Sequence, residues 1–92
     1  VLNLDFSRQS EKFLCKLQKE QPKHARQIAL KIAELRVNPL PSDSVELRGY
    51  DYRRVSIGEY RIIYTFDNQT LFLTLIGKRN DDEIYNLLQR KS

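Results

Sequence analysis

Arg53, Arg54 and Arg61 lie close together in YRRVSIGEYRIIYTF, residues 52–66, and Lys78-Arg79 follow in IGKRNDDEIY, residues 76–85. A guanidinium group grips phosphate through a planar two-pronged fork. Several such groups around one point can stabilise the charge that gathers on a phosphoryl group in a transition state. RNA also carries its own nucleophile, the 2′-hydroxyl. A ribonuclease therefore has to align that hydroxyl with the adjacent phosphate, take one proton from it and deliver one to the leaving 5′-oxygen. Lys78 and Tyr85 are the proton-transfer candidates beside the arginines. Their ordinary pKa values, about 10 each, require neighbouring cations to depress them for work near neutrality. His24, the single histidine, falls in a helical stretch away from the arginines and reads as a solvated or packed residue. The same arginines also suit a solvated sheet face on which Glu46, Asp51 and Glu59 pair with them. Residue type alone leaves both uses open.

Composition sets the frame for that patch. The chain has 92 residues, 40% of them hydrophobic, enough for one small domain over 1–92 with a single modest core. Sixteen Lys and Arg against twelve Asp and Glu give a net charge of +4, which suits a polyanionic partner or an acidic protein. The one cysteine, Cys15, has no partner for an internal disulfide, and no Cys/His group has zinc spacing, so neither a metal nor a cofactor is expected. Cys15 falls between Leu14 and Leu17 and is expected to be a buried structural thiol. No leader pattern and no long apolar run is present, so the chain is expected to be cytoplasmic and without a membrane span.

The elements that must hold the patch follow from periodicity. VLNLDF opens with a short alternating strand. Ser7 is a helix N-cap, with Glu11 in the first turns, and Ser10, Phe13, Leu14 and Leu17 form the buried stripe. Pro22 opens a second helix whose stripe is Ala25, Ile28, Ala29, Ile32 and Leu35, and NPLP at 38–41 ends it. Val45 and Leu47 begin a strand, with GYD at 49–51 as a turn or bulge. Residues 52–57, 60–66 and 70–76 are three strands. Gly58-Glu59 forms a type II′ turn between the first two, and Asp67-Asn68-Gln69 connects the last two. Asn80 or Asp81 caps a last helix carrying Ile84, Leu87 and Leu88. The fold class is α+β, in the order β-α-α-β-β-β-α: a small antiparallel sheet, an N-terminal two-helix hairpin on one face and a short C-terminal helix.

Alternation assigns faces. Ile62, Tyr64 and Phe66 share one face with Val55 and Ile57, and this face meets the helices. Arg54, Ser56 and Arg61 point to the other. Arg53 points inward by strict alternation unless a kink near Tyr52 or an edge position releases it. The exit of the last strand adds Lys78 and Arg79 to the cationic face, with Tyr85 at its edge. Tyr60 and Tyr64 are expected to be packing residues.

The ordered combination R-x-x-x-G-E-Y-R-I-I-Y, a further strand, and G-K-R-x-x-x-x-I-Y resembles the C-terminal half of the RelE/ParE toxin superfamily of toxin–antitoxin systems. The two helices and the NPLP break match the same layout, so the resemblance covers nearly the whole chain. It implies a RelE-like fold and a ribosome-dependent endoribonuclease that cuts mRNA in the A site by metal-independent 2′-OH attack. By position, Arg61 resembles the phosphate-stabilising arginine. Arg79, with Lys78 beside it, resembles the arginine after the last strand, and Tyr85 the base-orienting tyrosine. Arg54 matches the first of two basic positions on the preceding strand; Ser56 stands at the second, a departure for which Arg53, Lys78 or Arg48 would have to compensate. The resemblance further implies a cognate antitoxin, contact with the ribosome and mRNA, and operator DNA bound jointly with the antitoxin. The alternative within the superfamily is a ParE-like inhibitor of DNA gyrase without nuclease activity.

Overall fold

The computed structural model describes residues 1–79, and the expected last helix, capped by Asn80 or Asp81 and carrying Ile84, Leu87 and Leu88, lies outside them. The elements are β1 (Asn3–Phe6), α1 (Arg8–Glu20), α2 (Pro22–Val37), β2 (Val45–Glu46), β3 (Arg53–Ile57), β4 (Tyr60–Phe66) and β5 (Thr70–Lys78). They build one five-stranded sheet in the order β1-β5-β4-β3-β2. The strands from β2 onward pair antiparallel as expected, while β1 adds to β5 in parallel, so the sheet is mixed.

Local chemistry explains the helix boundaries. Ser7 caps α1 by accepting from the Ser10 amide at 3.1 Å, and its hydroxyl donates to the Thr74 carbonyl at 2.6 Å. One side chain thus closes the helix and ties it to β5. Ser10, fully buried, donates to the Leu73 carbonyl at 2.9 Å. Pro22 starts α2, where its missing N–H costs nothing. Ala25, Ile28, Ile32 and Leu35 from α2 meet Val55, Ile62, Tyr64, Leu71, Leu73 and Ile76 from the sheet in the main core. Cys15 departs from expectation and is exposed. At 100° per residue it points well away from the Ser10–Phe13–Leu14–Leu17 stripe.

Two irregularities in β5 matter for the site. Ile63 pairs with Leu75, but Tyr64 pairs with Leu73, so Thr74 is an extra residue. Such a bulge shifts the alternation by one. Leu73 and Ile76 consequently both face the helices, while Leu75 joins Ile63 on the opposite face. Beyond the end of β1, the Gln9 side chain substitutes for a strand: its amide donates to the Ile76 carbonyl at 2.8 Å and accepts from the Ile76 N–H at 2.9 Å. An otherwise open edge is thereby covered.

The loop after α2 is fastened by charge. Lys31 Nζ lies 2.6 Å from Asp43 Oδ2 and 3.3 Å from Glu34 Oε2. The hydrogen bond from Lys31 holds the Asp43 carboxyl below its ordinary pKa. Burial pulls the Lys31 ammonium down, but its bonds to Asp43 and Glu34 outweigh this and hold it above its usual value. The pair therefore stabilises fully above the unfolded carboxylate pKa, about 4, and below the unfolded lysine value, about 10.4. Its contribution fades as pH falls through the depressed Asp43 value or rises through the raised Lys31 value. Asp43→Asn is expected to cost at most about 1 kcal/mol at neutral pH, because Asp43 is largely exposed. It should also flatten the acid limb of a urea-midpoint profile, and an unchanged limb would show the pair to be inert.

Candidate functional site

The β3–β4 register sorts the arginines. Arg53↔Tyr64, Val55↔Ile62 and Ile57↔Tyr60 share the helix-facing side, and Arg54↔Ile63 and Ser56↔Arg61 share the open side. Gly58 has φ +55 and, among the described residues, no non-glycine residue has positive φ, as a type II′ turn at Gly58-Glu59 requires. Arg61 stands directly between Ser56 on β3 and Gly77 on β5. Side chains so paired have Cβ atoms about 5 Å apart. Gly77 brings no side chain beside Arg61, although its backbone is buried. Arg54 and Arg61 are half-buried, the Arg61 Nε is shielded from solvent, and Ser56 is exposed. The Arg79 N–H donates to the Glu59 carbonyl at 2.6 Å, tying the exit of β5 to the β3–β4 turn. Arg79 thus leaves the sheet at the Arg61 end, at the next open-face position after Gly77.

Other candidates lie elsewhere. Lys78 pairs with Tyr60, on the helix-facing side of the ladder. Arg48 is exposed in the loop after β2, and Tyr85 is outside the described residues. Arg53 faces the helix side and grips the α2–β2 loop, donating from Nη2 to Ser44 Oγ at 2.9 Å and from Nε to the same oxygen at 3.2 Å. Arg53→Ala is therefore expected to lower stability by about 1.5–3 kcal/mol, the range for bonds to a charged donor, while leaving the activity of folded molecules unchanged. Parallel denaturation and activity measurements check this against Arg54→Ala, for which the opposite pattern is expected.

The helix-facing end of the same hairpin is also braced. Tyr60 is buried, packs edge-on against Phe13, and its hydroxyl lies 3.0 Å from His24 Nδ1. Burial, with Glu59 adding to it, pushes the Tyr60 phenol up, so it stays protonated at neutral pH. His24 is thus a packed helix residue, as the sequence suggests.

The open face is more than cationic. Leu47, Ile63 and Leu75 form a second buried cluster, with half-buried Tyr50 and Tyr52 packed against it. The two rings lie 6.5 Å apart at 38°. Their loop, residues 47–52, folds over the open face because the bulge turns Leu75 there to meet it. Nothing in the local pattern singles out Tyr50, whereas the alternation that carries Arg54 and Ser56 also carries Tyr52. Among the described residues, no three His, Cys, Asp or Glu side chains converge as a metal site would need, and no helix is long and apolar enough to cross a membrane.

Residues 4–83 match the family model described as ParE toxin of type II toxin–antitoxin system, parDE. No match is found among curated proteins. Among solved structures, the chain is similar to a YoeB/ParE toxin from Agrobacterium tumefaciens, with TM-score 0.76 and 16% identity over 85% of this chain and 99% of that one. It is similar to a chain of the YoeB–YefM complex from Staphylococcus aureus, with TM-score 0.73 and 20% identity over 86% and 98%. For a chain of the archaeal RelE–RelB complex from Pyrococcus horikoshii the values are 0.67 and 23% over 85% and 94%. At such identities the likeness is one of fold.

Proposed function

The chain belongs to the ParE toxin family of type II toxin–antitoxin systems, and from that premise we propose that it is a ribosome-dependent endoribonuclease that cuts mRNA in the A site. The observation that most supports this reading is the Ser56–Arg61–Gly77 row, with Arg54 beside it, on the sheet face turned away from α1 and α2. In the proposed reaction the 2′-oxygen attacks the adjacent phosphorus and the bond to the 5′-oxygen breaks. The products are a 2′,3′-cyclic phosphate and a 5′-hydroxyl. One proton leaves the 2′-hydroxyl and one reaches the 5′-oxygen. Arg61 and Arg79 share the charge that builds on the phosphoryl oxygens, Arg54 holds a neighbouring phosphate, and Tyr85 orients a base. The ribosome supplies the alignment of the message. The toxin acts in the cytoplasm, its cognate antitoxin silences it by covering this face, and the pair binds operator DNA together.

Two observations favour a second reading, inhibition of DNA gyrase by binding alone. The matching family model is that of the parDE toxin, and Ser56 occupies a position that is basic in RelE-like nucleases. Purified protein on programmed ribosomes separates the two. A-site cuts are expected, and an intact message together with loss of gyrase supercoiling would move the assignment to the second. In cells, the nuclease stops amino-acid incorporation first, and the gyrase poison stops thymidine incorporation first.

A further inference from the structure

One transverse row of the sheet face turned away from α1 and α2 brings two aromatic side chains to one hollow. Thr65 pairs with Phe72, Phe72 pairs with Asp5, and Tyr52, the residue just before β3, lines the same hollow as Thr65 and Phe72. Thr65, Phe72 and Asp5 thus form a row across β4, β5 and β1, with Tyr52 at its β3 end. Continuing the β3–β4 register by one residue puts Tyr52 two strand spacings, about 9.6 Å, from Phe72, with Thr65 between them. Asp5, Ser7, Tyr52, Thr65, Phe72 and Thr74 line a hollow of about 290 Å³ there. Phe72 is half-buried and, among the described residues, joins neither apolar cluster. Tyr52 is backed by Tyr50 and by the Leu47–Ile63–Leu75 cluster, which holds its ring in place.

We propose that this hollow is a nucleobase subsite, in which a base of single-stranded RNA stacks between Tyr52 and Phe72 while Arg54 and Arg61 hold its phosphates. The inference rests on the ribonuclease reading for the identity of the strand. Thr65 lies four residues along β4 from Arg61, about 13 Å, and one row beyond Arg54. The base is thus one that flanks the cut. Aromatic faces stack on any base, and arginines on the same surface supply the backbone contacts. Asp5, at the far end of the row, repels phosphate and accepts hydrogen bonds from amino groups. It therefore directs the sugar–phosphate chain toward the arginines and the base edge toward itself.

Fluorescence anisotropy with a labelled hexaadenylate and an abasic ribose-phosphate hexamer tests the subsite directly. Wild type is expected to bind the adenylate about 5- to 150-fold more tightly. Phe72→Leu and Tyr52→Leu should each lose that ratio while keeping the abasic affinity, which also reports that the variant is folded. Phe72→Tyr should retain it. Equal binding of both oligomers by wild type, or a ratio that survives both leucine substitutions, would overturn the subsite. Base-dependent binding without any cutting of ribosome-bound message would instead sink the nuclease reading and leave the subsite standing.

Discussion

Arg61→Ala is expected to slow A-site cleavage about 100- to 1000-fold, the loss seen when one preorganised donor to a developing oxyanion is removed. The expectation follows from position. Arg61 is the cation of its row, between exposed Ser56 and buried Gly77, which adds no side chain beside it. Its half-buried stem limits the rotamers open to the guanidinium, so little reorganisation accompanies the reaction. Arg61→Lys keeps the charge but not the fork, and should recover only part of the rate. Arg79→Ala should cost less, because Arg79 is exposed and is held through its backbone N–H. If both arginines share the same phosphoryl charge, the double variant should fall short of the product of the single losses. The check is single-turnover cutting on programmed ribosomes, with circular dichroism on each variant. Wild-type cutting by a folded Arg61→Ala protein would remove Arg61 from the reaction.

Tyr64→Ala should be the most damaging single change to stability, at about 3–5 kcal/mol. Small domains hold about 5–15 kcal/mol in all, so much of the molecule would unfold at 37 °C. Tyr64 is fully buried in the main core and stacks near Phe66, with ring centroids 6.5 Å apart. Its hydroxyl donates to the Pro39 carbonyl at 2.8 Å. Burial pushes this phenol up against the opposing pull of Ser44 and Arg53, so it remains a donor throughout the neutral range. One side chain therefore joins the sheet to the loop that Arg53 also grips. Tyr64→Phe keeps the packing and loses the bond, for a smaller cost of about 1–2 kcal/mol. Urea midpoints at constant slope measure both, and a Tyr64→Ala midpoint near wild type would contradict the assigned role.

Local pattern by itself determined a good part of this protein. Alternation through RRVSI and YRIIYTF, joined by Gly58-Glu59, put Arg54, Ser56 and Arg61 on one face, because a two-residue turn leaves a single register. Ser7, Pro22 and the stripe of Ala25, Ile28, Ile32 and Leu35 set the helices through equally short-range chemistry, while Ala29, expected in that stripe, is exposed. Tertiary structure decided the rest. Arg53 obeys alternation, but its partner Ser44 comes from a loop whose path no local pattern predicts. Cys15 turns outward because the helix buries only the stripe that fits the sheet. The bulge at Thr74 arises where β5 must satisfy α1 and the Leu47 loop on opposite faces. That one extra residue places Gly77 beside Arg61, sends Lys78 to the other side of the ladder and turns Leu75 into the floor under Tyr50 and Tyr52. The arginine face was legible because it depends on neighbours in the chain; the aromatic floor beside it depends on which strands meet, and only the folded chain brings them together.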